Sequence, residues 1–249
     1  MDSNLPVGMN EHYGRNIDTM PRILEAGETP IWTAKLMEER LNRGERYPHL
    51  WKYRDTSDLA IFPLETRDIF YILLTSDNKG GISENGKKGL ELIKEGNLTP
   101  KHWATVENLE ELRGDNLIEM KVRQEDNAYY RGWGLEPEQV SKLDLWRVIA
   151  RHPDFVPEKY AHNKNLLEEY NYGVRVKTGI NRVMRLEMGN VLVSQSNPPI
   201  DKTFLAIYSL WTVGKRECNE TVGTSPLCCG SVMNYEEGSF IGLDKKLFK

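Results

Sequence analysis

Two short stretches of the chain hold residue types at spacings that could do chemistry. The first is Gly80–Gly89, GGISENGKKG, which contains G-x-x-x-x-G-K from Gly81 to Lys87. In a phosphate-cradling loop of this form, backbone N–H groups wrap the β- and γ-phosphates and the lysine adds charge. A serine or threonine directly after that lysine then holds Mg²⁺. Here the next residue is Lys88, which has no hydroxyl and repels a cation, and SDNKG separates the preceding apolar run from Gly81. The stretch therefore reads as a surface loop rich in Gly, Asn and Lys. The second is NLIEMKV, with Glu119 and Lys121 two apart on an expected strand. Period-two geometry puts both on one face.

The Glu119–Lys121 fragment resembles the E-x-K strand of many Mg²⁺-dependent nucleases. The resemblance implies a phosphodiesterase or nuclease using Lewis-acid help and an activated water, with Glu119 as metal ligand and Lys121 orienting the water. It also requires an acidic partner on a neighbouring strand. Asp115, Asp68 and Asp58 are the candidates, and the sequence chooses none of them. The plain alternative is an exposed strand face that carries one Glu and one Lys.

Two further stretches suit binding rather than reaction. NAYYRGWGLEPE sets Tyr129, Tyr130, Arg131 and Trp133 in a glycine-flanked loop. Such a group can stack a base or sugar and grip an anion, or it can anchor the loop to the core by its aromatic rings. GVRVKTGINRVMRL holds Arg175, Lys177, Arg182 and Arg185 and no acid. Read as a strand, it puts Arg175 and Lys177 on one face, opposite Val174 and Val176, as a patch for anions or nucleic acid. His152-Pro153-Asp154 resembles the HPD loop of J-domain co-chaperones. The helix before it mixes Lys142, Arg147 and Arg151 with Asp144 and Trp146, so it lacks the strongly basic face of that family.

Composition bounds the rest. The chain has 249 residues and a formal net charge of −4, which argues against binding nucleic acid through bulk charge. The start, MDSNLPVGMNEHYG, is not a secretory signal, and no run approaches the ~18–20 apolar residues needed to span a bilayer. Cys218, Cys228 and Cys229 are an odd number with two adjacent and no histidine near them, a poor framework for disulfides or zinc. The cytoplasm is the expected compartment. G-x-S-x-G, H-E-x-x-H, C-x-x-C and G-x-G-x-x-G are all absent from the sequence.

The elements that must position these residues are legible from punctuation and period. DTMPRILEAG offers Asp18 or Thr19 as N-cap, Pro21 in the first turn and Gly27 as stop; ETPIWTAKLMEERLNRG repeats the scheme with Thr29, Pro30 and Gly44. In the second helix Ile31, Ala34, Met37 and Leu41 share a face suited to the core, and Lys35 and Glu39 form an i, i+4 pair. LAIF and DIFYILLT read as strands, the latter central because it is apolar on both faces. Short helices follow the glycine loop, and the last third reads as an antiparallel meander with a Gly189-Asn190 turn. The expectation is an α+β fold with an N-terminal helical hairpin, a mixed central layer and a C-terminal antiparallel β-meander. Residues 1–171 form its helical and mixed part and 172–249 its antiparallel part, or the two make one continuous domain. The function expected first is a soluble intracellular binding or interaction protein with no cofactor. Its partner would be a protein, a small molecule or a nucleic acid, not a membrane, engaged through Tyr129–Trp133 and the Arg175/Lys177 patch. The alternative is the Mg²⁺-dependent phosphodiesterase or nuclease.

Overall fold

A computed structural model describes residues 5–14, 16–43, 46–51, 54–63, 69–95, 104–121, 137–178, 204–212 and 238–248. Helix α1 (Asn16–Glu25) ends at Gly27, as its punctuation predicts. Gly27 has φ +75°, the Glu28 N–H donates to the Ile23 carbonyl at 3.1 Å, and the Gly27 N–H donates to Leu24 at 3.0 Å. This doubly bonded stop satisfies carbonyls that the helix end leaves open. The helix starts before Asp18, so Pro21 lies inside it rather than in its first turn.

The next stretch departs from its expected form. Thr29–Pro30 is a short strand, β2, and helix α2 (Thr33–Arg43) begins after it. Ala34 and Met37 are fully buried and Leu41 packs on the same core, so the predicted apolar stripe is core. Lys35 Nζ lies 2.6 Å from Glu38 and 3.0 Å from Glu39. Helix α1 lies against α3 (Glu84–Glu95); the short helices α4 (Val106–Glu111), α5 (Pro137–Val140) and α6 (Asp144–Ile149) follow, and α2 lies against α7 (Leu166–Thr178).

Among the described residues, helices pack around two antiparallel sheets, which makes the chain an α+β protein. One sheet has the order β1-β8-β2, with β1 spanning Met9–Gly14 and β8 spanning Gly238–Leu243. The other has the order β5-β7-β3-β4-β6, built from β3 (Arg54–Pro63), β4 (Ile69–Leu73), β5 (Ala104–Thr105), β6 (Leu117–Lys121) and β7 (Phe204–Thr212). Strand β4 is interior, as its apolar run predicts. Both sheets take strands from either side of residue 171. Phe70, Ile72, Trp32 and Trp146 belong to the larger core; Leu59, Ile61, Leu73 and Leu90 belong to the smaller one on the other sheet face.

The glycine loop is held firmly. Asp77 Oδ1 accepts from the N–H groups of Lys79 and Gly81, each at 2.8 Å, and the Asp77 N–H donates to the Gly81 carbonyl at 2.7 Å. Ser83 caps α3 by accepting from the Gly86 N–H at 3.0 Å. A Cβ on Gly86 would lie 2.4 Å from the Thr75 carbonyl oxygen, and one on Gly89 would lie 2.6 Å from Leu73 Cδ2. The glycines of the motif thus let α3 pack tightly on the strand. In an exposed helix interior Gly→Ala gains roughly 1 kcal/mol. Gly86→Ala is instead expected to destabilise by about 1–3 kcal/mol, because a backbone oxygen must move aside. A rise in the urea midpoint on this substitution would contradict the packing account.

Residues 172–178, read from the sequence as a strand, are the last turns of helix α7. The helix already under way from Leu166 gains one backbone hydrogen bond per residue added, and the short V-R-V-K alternation does not outweigh that gain. The runs expected as strands within 182–196, the Gly189-Asn190 turn and the three cysteines lie outside the described residues.

Candidate functional site

Among the described strands β6 lies at the edge of its sheet, with Glu119 opposite Tyr71 and Lys121 opposite Ile69. Glu119 and Lys121 are exposed on one face with buried Met120 between them, as the alternation predicts. Burial and then the Glu119 charge push the Tyr71 hydroxyl up, and this hydroxyl also hydrogen-bonds to Glu119. Arg113 and Glu110 adjoin the pair, and Arg113 grips Glu110 through Nε at 2.5 Å and Nη2 at 2.8 Å. Of the acids considered as partners for Glu119, Asp58 is on β3, beyond the intervening β4, and Asp115 pairs with Lys159 at 2.9 Å. Asp68 lies outside the described residues. Among the described residues Glu110 is an acid that the fold brings here, and its oxygens are taken by Arg113. Mg²⁺ demands several available oxygens in octahedral array, more than the described residues of this face offer. Among the described residues, no three His, Cys, Asp or Glu side chains are grouped to hold a metal.

Tyr129, Tyr130, Arg131 and Trp133 lie outside the described residues. Arg175 and Lys177 belong to helix α7, so the period-two argument that set them on one face no longer applies. In the HPD stretch, His152 Nδ1 accepts from the Asp154 N–H at 3.2 Å. Arg151, counted among the basic residues of the preceding helix, is fully buried.

The structure assembles two polar clusters on β3 that the sequence does not show. Pairing between β3 and β7 is irregular between Asp55 and Leu59. This frees the Ser57 N–H to donate to the Ile31 carbonyl at 2.9 Å, which draws the start of α2 onto the strand. Asp58 Oδ2 then accepts from the Thr33 N–H at 3.1 Å, and Oδ1 meets Arg151 Nη2 at 2.8 Å. Both Asp58 and Arg151 are 0% exposed. Arg151 also donates to the Ser76 carbonyl at 2.5 Å and lies over the Trp32 ring at 5.1 Å. Its φ of +59° is unusual for a side chain of this size. Trp32 Nε1 donates to His162 Nε2 at 3.1 Å. Burial, then the charges of Arg151 and Lys35, push the His162 imidazole down to about 3. It is therefore neutral at pH 7 and serves as an acceptor.

The second cluster sits where β1 and β8 meet the start of β3. Arg54, fully buried, donates through Nη2 to the His49 carbonyl at 2.6 Å and through Nη1 to Ser239 Oγ. It also pairs with Glu11 at 2.5 Å. Burial pushes the Glu11 carboxyl up, but the Tyr13 hydroxyl, Arg54 and His49 outweigh it and hold the group at about 2. Glu11 Oε2 lies 3.2 Å from Nδ1 of His49, a residue of the 3-10 turn Pro48–Trp51. On the other side of β1, His12 Nε2 meets Glu28 Oε2 at 2.8 Å, and Glu28 Oε1 accepts from Asn10 at 2.6 Å. Comparison with family models, with characterised proteins and with solved structures finds no match to this chain, so its own geometry must carry any reading of its function.

Proposed function

We propose that this protein works by binding a partner, as a soluble intracellular binding or interaction protein, and not as a metal-dependent nuclease. The observation that supports this reading is the commitment of the described acids considered for the E-x-K strand: Asp58 to Arg151 and Thr33, Asp115 to Lys159, and Glu110 to Arg113. The partner surface of this reading is the loop bearing Tyr129, Tyr130, Arg131 and Trp133, with the basic positions Arg175 and Lys177. The partner is a protein, a small molecule or a nucleic acid met in the cytoplasm. With it go the finer features of the layout: a helical hairpin at the N-terminus, an antiparallel meander within the last third, and a chain of two parts, 1–171 and 172–249, or of one continuous domain, the form that strands shared across residue 171 favour.

Both parts can be tested. Incubated with Mg²⁺ or Mn²⁺ and mixed DNA and RNA substrates, the protein and its Glu119→Gln variant are expected to leave the substrates intact. Metal-dependent cleavage that disappears in Glu119→Gln would replace the binding reading with the nuclease. A labelled single-stranded oligonucleotide and an acidic peptide serve as binding probes. Arg131→Ala and Arg175→Ala are each expected to weaken retention of one of them about fivefold, the size of a single exposed cation contact of roughly 1 kcal/mol. Unchanged retention in both variants removes the assigned surface.

A further inference from the structure

The cluster around Glu11 contains an imidazole arranged for proton transfer. Glu11 and Tyr13 are two apart on β1 and share a face, and the strand register sets Ser239 opposite Tyr13. Arg54, held by the His49 carbonyl and by Ser239, locks the Glu11 carboxylate in place. An ionised carboxylate can only accept, so the His49 nitrogen that faces it, Nδ1, must carry the ring proton. Nε2 then presents a lone pair. It makes no hydrogen bond among the described residues, and the His49 side chain is 26% exposed. A carboxylate that fixes the tautomer and supports the imidazolium is the arrangement that makes histidine an efficient general base. His12 provides an internal contrast, because there it is Nε2 that faces the carboxylate.

We propose that His49 is a proton-accepting catalytic residue, oriented by Glu11, that promotes hydrolysis of small neutral carboxylic esters. The proposal goes beyond the binding reading and does not rest on it. As a water oxygen bonds to the acyl carbon, His49 Nε2 takes one of the water protons. The tetrahedral intermediate then breaks its bond to the alcohol oxygen, which recovers that proton from Nε2. The products are a carboxylic acid and an alcohol, and His49 returns to the neutral form. Glu11 stays ionised throughout, keeps hold of Nδ1–H and balances the transient imidazolium; it is a positioning residue. The ester is neutral because the guanidinium of this cluster, Arg54, is buried and already paired with Glu11, so it is not available to an anionic substrate.

The test uses the full chain and p-nitrophenyl acetate. His49→Ala is expected to lower the rate of p-nitrophenolate release at least about tenfold, below the usual size of a general-base contribution. Glu11→Gln is expected to lower kcat with KM unchanged, and His12→Gln to keep the original rate. Side-chain ¹⁵N NMR of the unaltered protein is expected to show His49 protonated at Nδ1, and Glu11→Gln to lose that preference. Hydrolysis by His49→Ala at the original rate would overturn the proposal. So would a proton on Nε2 in the unaltered protein, a result that decides the matter even if the His49 variant does not fold.

Discussion

Replacing Asp58 with alanine is expected to cost about 3–5 kcal/mol of folding stability, the penalty for leaving one member of a buried ion pair without its partner. Both members are 0% exposed, so bulk solvent does not already hydrate the guanidinium when the carboxylate is removed. The same carboxylate accepts from the Thr33 N–H at the start of α2, and that donor would also be left buried. Arg151 would keep its hydrogen bond to the Ser76 carbonyl, which is neutral and cannot balance a full charge. Replacing both residues with apolar ones, as in Asp58→Leu with Arg151→Met, is expected to recover most of the loss, because the expense lies in the unpaired charge and not in the absence of the pair. Urea unfolding of the two single variants and the double variant measures this. A single-variant loss below about 1 kcal/mol would mean that the pair is hydrated.

Acid should weaken the same region steeply. In the unfolded chain His162 takes up a proton near its ordinary value of 6.5, whereas in the folded chain it does so only at about 3. Between these values the unfolded state binds more protons, so stability is complete above 6.5 and falls as the pH drops toward 3. The slope approaches about 1.4 kcal/mol per pH unit. The groups facing the ring all oppose its protonation: the Trp32 N–H needs Nε2 as an acceptor, and Arg151 and Lys35 are cations. His162→Gln, which keeps an acceptor but does not titrate, is expected to flatten the stability profile between pH 6.5 and 4. Equal slopes for the two proteins, measured by urea unfolding at each pH, would assign the acid loss to other groups.

Local features of this fold were readable wherever one segment carried its own signal. The spacing of Ala34, Met37 and Leu41 announces the core-facing side of α2, Gly27 announces the end of α1, and the apolar run from Ile69 to Leu73 announces an interior strand. Strand β1 carried no such signal, because its side chains are divided between Glu11, held by Arg54, and His12, held by Glu28. Its pairing with β8 is a property of the sheet and not of either segment. Residues 172–178 misled for the opposite reason: a short alternation was present, but an established helix overrode it. Gly86 and Gly89 of GGISENGKKG serve as contact points between helix and strand, a use that requires a neighbour the sequence does not name. The candidate site was legible only in part. Glu119 and Lys121 share the face that alternation assigned to them, while Asp58, considered as their partner, serves Arg151 instead. The Glu11–His49 pair joins residues from β1 and from the turn ahead of β3, each ordinary in its own context.

Strand β8 lies between β1 and β2, so Met9 pairs with Leu243 and Thr29 pairs with the same residue from the other side. During synthesis the ribosome therefore releases two partners long before the strand that joins them. Until the Gly238–Leu243 segment emerges, β1 and β2 wait with their backbone N–H and C=O groups unpaired. Contacts this distant along the chain also form late, since a very large loop must close before they contribute. Nascent chains arrested before residue 238 should accordingly be more open to proteases and chaperones at their N-terminal strand than the finished protein is.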